Sequence, residues 1–145
     1  MRKGQVLHHL FFLLDTNICG FLFRNKYGIK EKIKQVGLEN CAVSLLTIAE
    51  LMVGVEYTLQ NTGVNKYENL KLFENSVTIL PVEPSIEFAA KEKARLQLAG
   101  TEVNDLIDLL IAGTAYANDL TLITDNIKHF QNIKGIKIDN WVVRN

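Results

Sequence analysis

The sequence predicts an α/β protein in which a central, mainly parallel sheet of about five strands carries helices on both faces. Short β-rich segments alternate along the chain with segments whose apolar residues recur every three or four positions. This alternation is typical of parallel sheets, because a crossover helix returns the chain to the start of the next strand. With 145 residues, 48% of them hydrophobic and 22% charged, the chain fits one compact domain.

The predicted strands are short apolar runs bounded by polar residues or turn signals. They read FFLL, CAVS, VTIL, TLIT and IKID, at residues 11–14, 41–44, 77–80, 121–124 and 136–139. Helical periodicity fills the intervals at residues 18–23, 30–36, 47–59, 65–75, 86–98 and 106–117. The two prolines, Pro81 and Pro84, lie where the third strand leads into a helix.

We predict a single domain over residues 11–145, preceded by a lead-in segment at 1–10 that we expect to be partly disordered. Arg2 and Lys3 followed by an apolar run imitate a signal peptide. However, His8 and His9 interrupt the run, and no small-residue cleavage site follows it. No segment is apolar over a length that would span a bilayer, so no membrane association is expected.

Charge and cysteine content narrow the functional classes. Sixteen basic and sixteen acidic residues cancel, so the protein lacks the overall positive field that drives sequence-independent binding to nucleic acid. Any such contact must be local. Cys19 and Cys41 form no C-x-x-C pair, which indicates a reduced, cytoplasmic protein without structural zinc.

Four acidic residues are placed to meet at one edge of the predicted sheet. Asp15 and Asp125 come directly after strands, whereas Glu50 and Asp108 lie early in helices that flank the second and fourth strands. In open parallel sheets the functional crevice lies beyond the carboxyl ends of the strands, near the point where strand order reverses. The four carboxylates are therefore candidates for one site.

Each of these acids also has a purely structural interpretation, which the sequence leaves open. Helix caps and turns favour the same residue types. The alternatives are a cap role for Asp15, a Thr47-x-x-Glu50 capping box, a cap at Asn104 or Asp105 for the helix that contains Asp108, and an Asp125–Asn126 turn pair.

The surroundings of the acids favour a metal site. Asp15, Glu50 and Asp108 lie among apolar residues, where an ionised carboxylate is costly unless a positive charge balances it. Oxygen-only ligands suit hard cations such as Mg²⁺ or Mn²⁺ rather than zinc. A carboxylate-held divalent metal can activate water for attack on a phosphodiester, so we expect a metal-dependent hydrolase acting on phosphodiester bonds.

An ordered set of segments resembles the PIN-domain ribonucleases, specifically the VapC toxins of bacterial toxin–antitoxin pairs. The segments are LLDTN, SLLTIAEL, DLLIAGTA, LITDNIKHF and IKIDNW, and the similarity runs from about Phe12 to Val142. The resemblance implies an α/β/α fold, endoribonuclease activity with Mg²⁺ or Mn²⁺ on structured RNA such as tRNA, a homodimer, and a VapB-like antitoxin whose tail covers the active site.

Carried over motif by motif, the resemblance implies a catalytic metal site made of Asp15, Glu50, Asp108 and Asp125. Supporting roles fall to Asn17, Thr124 and Asn126. Asp105, one helical turn before Asp108, is either an additional ligand or a helix-start acid, and we favour the latter. A catalytically silent PIN-like module that binds RNA or protein is the alternative function.

Contacts to RNA are less defined by the sequence. Arg24, Lys26 and Lys30 belong to the densest basic stretch and either guide an RNA backbone or form a solvated helix face. His129 is expected on the surface and not as a general base. Apolar residues in excess of one packing face, around residues 21–23 and 51–59, indicate either a groove for an antitoxin helix or a deeper core.

Overall fold

A computed structural model describes residues 10–101 and 104–144, so residues 1–9 of the predicted lead-in segment lie outside the described residues. The described chain forms a five-stranded sheet in the order β3-β2-β1-β4-β5, and every pairing is parallel. The predicted α/β class and strand number are confirmed. The strands are β1 (Phe12–Leu14), β2 (Cys41–Ser44), β3 (Thr78–Leu80), β4 (Thr121–Ile123) and β5 (Lys137–Asp139).

Helices fill the intervals between the strands, close to where the apolar periodicity predicts them. In the described part of the chain they are α1 (Thr16–Phe23), α2 (Ile29–Val36), α3 (Leu45–Thr62), α4 (Tyr67–Ser76), α5 (Ile86–Ala99), α6 (Leu106–Ala117) and a short α7 (Ile127–Phe130). Helix α7 is too short to give a periodic signal, and the sequence did not predict it.

The alternative of a capping box at Thr47 and Glu50 is wrong. Helix α3 begins at Leu45, and its N-cap is Ser44, whose hydroxyl accepts a hydrogen bond from the backbone amide of Leu46 at 3.0 Å. Thr47 and Glu50 therefore lie inside the helix rather than at its start. Glu50 is free of a capping role and is available to the site described below.

The strands bury both of their faces, which makes the molecule a three-layer α/β/α arrangement. Successive side chains of a strand point to opposite faces of the sheet. Leu13, Ala42 and Leu122 pack with helices α5 and α6, while Leu14, Val43 and Ile123 pack with helices α1 to α4. Both faces of the sheet are thus covered, as continuous apolar strands require.

The order of strands places the functional crevice beside β1. Phe12 pairs with Cys41 of β2 on one side and with Thr121 of β4 on the other. The chain builds outward from β1 to β2 and β3, and later to β4 and β5 on the opposite side. The carboxyl ends of β1 and β4 therefore flank a topological switch point, where α/β proteins bind their ligands.

Helix α6, which carries Asp108, is held close against the turn at Glu83–Ser85 by a glycine. A Cβ atom at Gly113 would lie only 2.8 Å from the carbonyl oxygen of Ser85. Any larger residue would push α6 away from this turn and displace the start of the helix.

Two further expectations concern membranes and thiols. Among the described residues, no helix is long and apolar enough to cross a membrane. Cys19 and Cys41 are both buried, free thiols. Burial raises the pKa of both, to about 12 for Cys41, so they stay protonated at neutral pH.

Candidate active site

Asp15 lies at the centre of the candidate site, immediately after β1, and is only 7% exposed. Its Oδ2 atom accepts a hydrogen bond from the hydroxyl of Thr124 at 2.8 Å, and its Oδ1 atom accepts one from the backbone amide of Thr16 at 2.8 Å. Asp15 is also the N-cap residue of α1, so the capping interpretation holds as well. Its carboxylate is fixed at the switch point by both neighbours.

The charges of two other acids influence the pKa of Asp15. Burial raises the pKa of Asp15 above its ordinary value, the two hydrogen bonds oppose this, and the charges of Asp108 and Glu50 raise it further. Burial likewise raises the pKa of Asp108, with contributions from Asp105 and Glu50, while His129 acts in the opposite direction. Asp15, Glu50 and Asp108 therefore form one group of mutually repelling carboxylates.

Glu50 reaches this group from the second turn of α3. The Thr16 hydroxyl donates to its Oε1 atom at 2.5 Å, and the same hydroxyl lies 3.1 Å from that of the buried Thr47. Although Glu50 is exposed, its carboxylate is held towards the end of β1. Thr16 thus connects the start of α1 to the acid on α3.

Asp108 contacts His129, which the sequence analysis expects on the surface. The Nε2 atom of His129 lies 2.7 Å from its Oδ2 atom, and the imidazole side chain is only 31% exposed. The prediction that His129 is a surface residue is therefore wrong. Short helix α7 turns the ring inward, and the side-chain amide of Asn104 donates to the carbonyl oxygen of His129 at 2.6 Å.

Asp105 has the structural role that we favoured. It is the N-cap of α6, and its Oδ1 atom accepts a hydrogen bond from the backbone amide of Asp108 at 2.9 Å. The side chain is otherwise exposed. Its influence on the site is electrostatic, since its charge helps to raise the pKa of Asp108.

Asp125 follows β4 as predicted, but its carboxylate is already bound. Both of its oxygens accept hydrogen bonds from the guanidinium of Arg144, at 2.9 and 2.7 Å, and Oδ1 also lies 3.2 Å from the side-chain nitrogen of Asn140. These bonds lower the pKa of Asp125, whereas the pKa values of Asp15 and Asp108 are raised. Asp125 thus differs electrostatically from Asp15 and Asp108.

The predicted supporting residues join the loops after β1 and β4. The Asn17 side chain accepts a long hydrogen bond, 3.4 Å, from the backbone amide of Asp125. The Thr124 hydroxyl donates to Asp15 and accepts from the backbone amide of Asn126 at 3.0 Å. These contacts fix the two loops relative to each other at the switch point.

An open groove of about 380 Å³ begins beside Glu50 and runs between helices α1, α3 and α4. Apolar side chains of Phe23, Leu51 and Val55 contribute to its walls, as the excess of apolar residues predicted. Arg24 lines it as well. Lys26 and Lys30 are exposed on the neighbouring segment between α1 and α2 and at the start of α2.

The donors at this site fit a hard divalent cation. The cluster consists of carboxylate oxygens, and the charges of neighbouring acids help to raise the pKa of Asp15 and of Asp108, a repulsion that a bound cation would relieve. In the described chain, no three acidic, histidine or cysteine side chains are already grouped as ligands of one ion. Instead, Glu50 and Asp108 hydrogen-bond to Thr16 and His129.

Three residues at the site were missed by sequence reasoning. Thr16 lies directly after Asp15 at the start of α1, and this position was a usable signal. His129 lies six residues after the end of β4, in a four-residue helix that is too short to give a periodic signal. For Arg144, 19 positions beyond Asp125, the sequence carries no pairing signal.

The PIN-domain family model matches residues 12–136, which is most of the chain. The chain belongs to the PIN-domain family. Among relatives of this PIN-domain chain, the tRNA(fMet)-specific endonuclease VapC of Salmonella typhimurium is 33% identical over 135 residues, covering 90% of this chain and 97% of the relative. Ribonuclease VapC2 of Rickettsia felis is 29% identical over 136 residues, covering 91% and 98%.

Solved structures give the same assignment. The PIN-domain chain matches a DNA-bound VapBC complex from Salmonella typhimurium with a TM-score of 0.80 at 29% identity, over 91% of this chain and 98% of the matched chain. It matches VapBC2 from Rickettsia felis, bound to a DNA fragment from the promoter, with a TM-score of 0.75 at 26% identity, over 91% and 99%. The predicted resemblance to VapC ribonucleases is confirmed.

Proposed function

We propose that this PIN-domain protein is a metal-dependent endoribonuclease, the toxin of a VapBC-type pair, that hydrolyses phosphodiester bonds in RNA. The observation that carries the proposal is the convergence of Asp15, Glu50 and Asp108 at the switch point of the sheet. The similarity to curated VapC ribonucleases over nearly the whole chain supports the same activity.

The cation that we propose is Mg²⁺, with Mn²⁺ as a substitute, held by Asp15, Asp108 and Glu50. Hard oxygen donors favour these ions over zinc. Asp125, which the sequence suggests as a fourth ligand, is paired with Arg144. When bound, the cation supplies positive charge at the phosphate and activates water for in-line attack.

The chain's own residues orient the reacting groups. Thr124 and the amide of Thr16 hold the Asp15 carboxylate, the hydroxyl of Thr16 holds Glu50, and the imidazole of His129 holds one oxygen of Asp108. Carboxylates fixed in this way would be ready to hold a cation without rearranging, which lowers the entropic cost of reaching the transition state. Arg24, Lys26 and Lys30 are the proposed contacts to the RNA backbone, and Arg24 lines the same groove as Glu50.

Substrate and partners follow from the relatives. The relative from Salmonella is named for tRNA(fMet), so we propose structured RNA such as a tRNA as the substrate class. A VapB-like antitoxin is the partner, in keeping with the VapBC complexes among the structural matches. We propose the groove between α1, α3 and α4 as its docking site, a homodimer as the assembly and the cytoplasm as the location.

Cleavage of total cellular RNA tests the proposal. Purified, antitoxin-free protein is incubated with Mg²⁺ or Mn²⁺ beside EDTA and Asp15→Asn controls, and the new ends are sequenced. We expect discrete cuts that vanish in both controls. Metal-independent cuts, or cuts that survive in Asp15→Asn, would contradict the nuclease site; RNA bound but left intact by a folded, metal-loaded protein would favour a silent binding module.

A further inference from the structure

Arg144 and Asp125 form a two-pronged ion pair at the rim of the candidate metal site. The Nη1 and Nη2 atoms of Arg144 lie 2.9 and 2.7 Å from Oδ1 and Oδ2 of Asp125. The guanidinium therefore occupies both oxygens of the carboxylate at once, the most specific geometry available to this pair of residues. A carboxylate bound in this way can no longer chelate a cation through the same pair of oxygens.

The segment that carries Arg144 is anchored along its length. The Trp141 ring is buried edge-on against Phe12, with ring centroids 4.9 Å apart. The amide of Val143 donates to the carbonyl oxygen of Tyr27 at 3.0 Å, and the Arg144 guanidinium carbon lies 4.7 Å from the centre of the Tyr27 ring. The arginine is thus held on one side by an aromatic face and on the other by Asp125.

The backbone of Asp125 nevertheless lies at the acid cluster. The preceding residue, Thr124, donates to Asp15, and the amide of Asp125 points to the side chain of Asn17. The strand pairing of Leu14 with Ile123 places the ends of β1 and β4 side by side. Rotation of the Asp125 side chain, with no movement of its backbone, is the change that release from Arg144 would permit.

We propose that Arg144 withholds Asp125 from the metal centre, so that the resting protein holds its cation with Asp15, Glu50 and Asp108 alone. The inference rests on the proposed metal-dependent function and makes Arg144 a positioning residue that determines the ligand set. The guanidinium and the cation compete for the same carboxylate, because each satisfies the same negative charge.

The competition between Arg144 and the cation for Asp125 should change the cation affinity by a measurable amount. The Arg144 side chain is 56% exposed and that of Asp125 only 17%, so solvent weakens the ion pair without abolishing it. A pair of this kind contributes little enough to stability that its loss leaves the protein folded. It also contributes enough for its removal to tighten cation binding about threefold or more.

The test is a double-mutant cycle read out by Mn²⁺ binding in calorimetry, on full-length, antitoxin-free protein at neutral pH. The proteins are the wild type, Arg144→Gln, Asp125→Asn and the double variant. We expect Arg144→Gln to bind Mn²⁺ about threefold or more tightly than the wild type. Asp125→Asn should bind like the wild type, and the double variant should bind like Asp125→Asn.

Each other pattern overturns the inference. Binding by Asp125→Asn that is weaker than that of the wild type and of Asp105→Asn, which also removes one negative charge beside the site, would mean that Asp125 already holds the cation. A gain in Arg144→Gln that persists in the double variant would be a general effect of removing a positive charge near the site. Equal binding by Arg144→Gln and the wild type would mean that no competition exists.

Two further variants keep the cycle interpretable. Arg144→Lys retains the charge but cannot engage both oxygens, so we expect a gain smaller than that of Arg144→Gln; it also serves if the glutamine variant does not fold. Asp15→Asn should lose Mn²⁺ binding. If it binds as the wild type does, the metal centre itself is wrong, an outcome distinct from a failure of Arg144 alone.

Discussion

The imidazole of His129 and the carboxylate of Asp108 lie 2.7 Å apart, and this contact joins helix α7 to the start of α6. Asn104 holds the backbone of His129 and Asp105 caps the amide of Asp108, so both ends of the contact are fixed. Partners that orient a metal-binding side chain in this way influence affinity and rate without touching the ion.

We predict that His129→Leu lowers Mg²⁺-dependent RNA cleavage by about tenfold or more, because one oxygen of Asp108 loses its fixed partner. His129→Gln, whose amide can donate a hydrogen bond to the same oxygen, should retain most of the activity. Initial rates over a range of Mg²⁺ concentrations measure both effects. Equal losses in the two variants would indicate that the ring is needed for packing rather than for the hydrogen bond.

Metal binding should protect the fold through Asp15. A ligand that binds only the native state raises its melting temperature. We predict that Mg²⁺ or Mn²⁺ raises the melting temperature of the wild type and that Asp15→Asn removes most of the rise. Asp105→Asn is a matched control, since asparagine also caps helices and this exposed acid is not a proposed ligand. A rise that Asp105→Asn abolishes and Asp15→Asn leaves intact would contradict the assignment.

In metal-free solution, Asp15 should destabilise the protein at neutral pH. Burial raises its pKa above the ordinary value of 3.8, so the native state binds the proton more tightly than the unfolded state does. The stability associated with this proton is fully present below pH 3.8 and is lost as the pH rises through the raised pKa. Each unit of the shift corresponds to about 1 kcal/mol.

Asp15→Asn removes that titrating charge while keeping the size of the side chain. We therefore predict that metal-free Asp15→Asn is more stable than the wild type at neutral pH, and that the difference shrinks in acid. Urea unfolding in the presence of EDTA, repeated across the pH range, gives the free energy of unfolding for both proteins. A wild type that is the more stable of the two at neutral pH would contradict the prediction.

Arg24 should contribute more to RNA binding than the lysines of the same basic stretch. It lines the groove next to Glu50, whereas Lys30 lies at the start of α2 outside that groove. We predict that Arg24→Gln weakens RNA binding more than Lys30→Gln does and reduces its salt dependence. Titration of a tRNA into the Asp15→Asn background measures affinity without cleavage. Identical affinities for the two variants would remove Arg24 from the proposed RNA path.

Much of the fold could be predicted because local patterns of apolar and polar residues indicate its strands and helices. Apolar runs and three- to four-residue spacing located all five strands of the described sheet and helices α1 to α6. The rule that parallel strands end at one edge was sufficient to bring Asp15 and Asp108 together as candidates. The start of α3 was predicted less accurately. Ser44 rather than Thr47 caps the helix, and serine and threonine both favour the N-cap position.

The sequence by itself determined the α/β class, the family and the identity of the acids, since each depends on residue types at short spacing. Only the tertiary structure decided what each acid contacts. Asp125 pairs with Arg144, Asp108 with His129, and Glu50 with Thr16, across separations of 19, 21 and 34 residues. Such pairings depend on where crossovers return the chain and which way side chains turn, and neither leaves a periodic signal in the sequence.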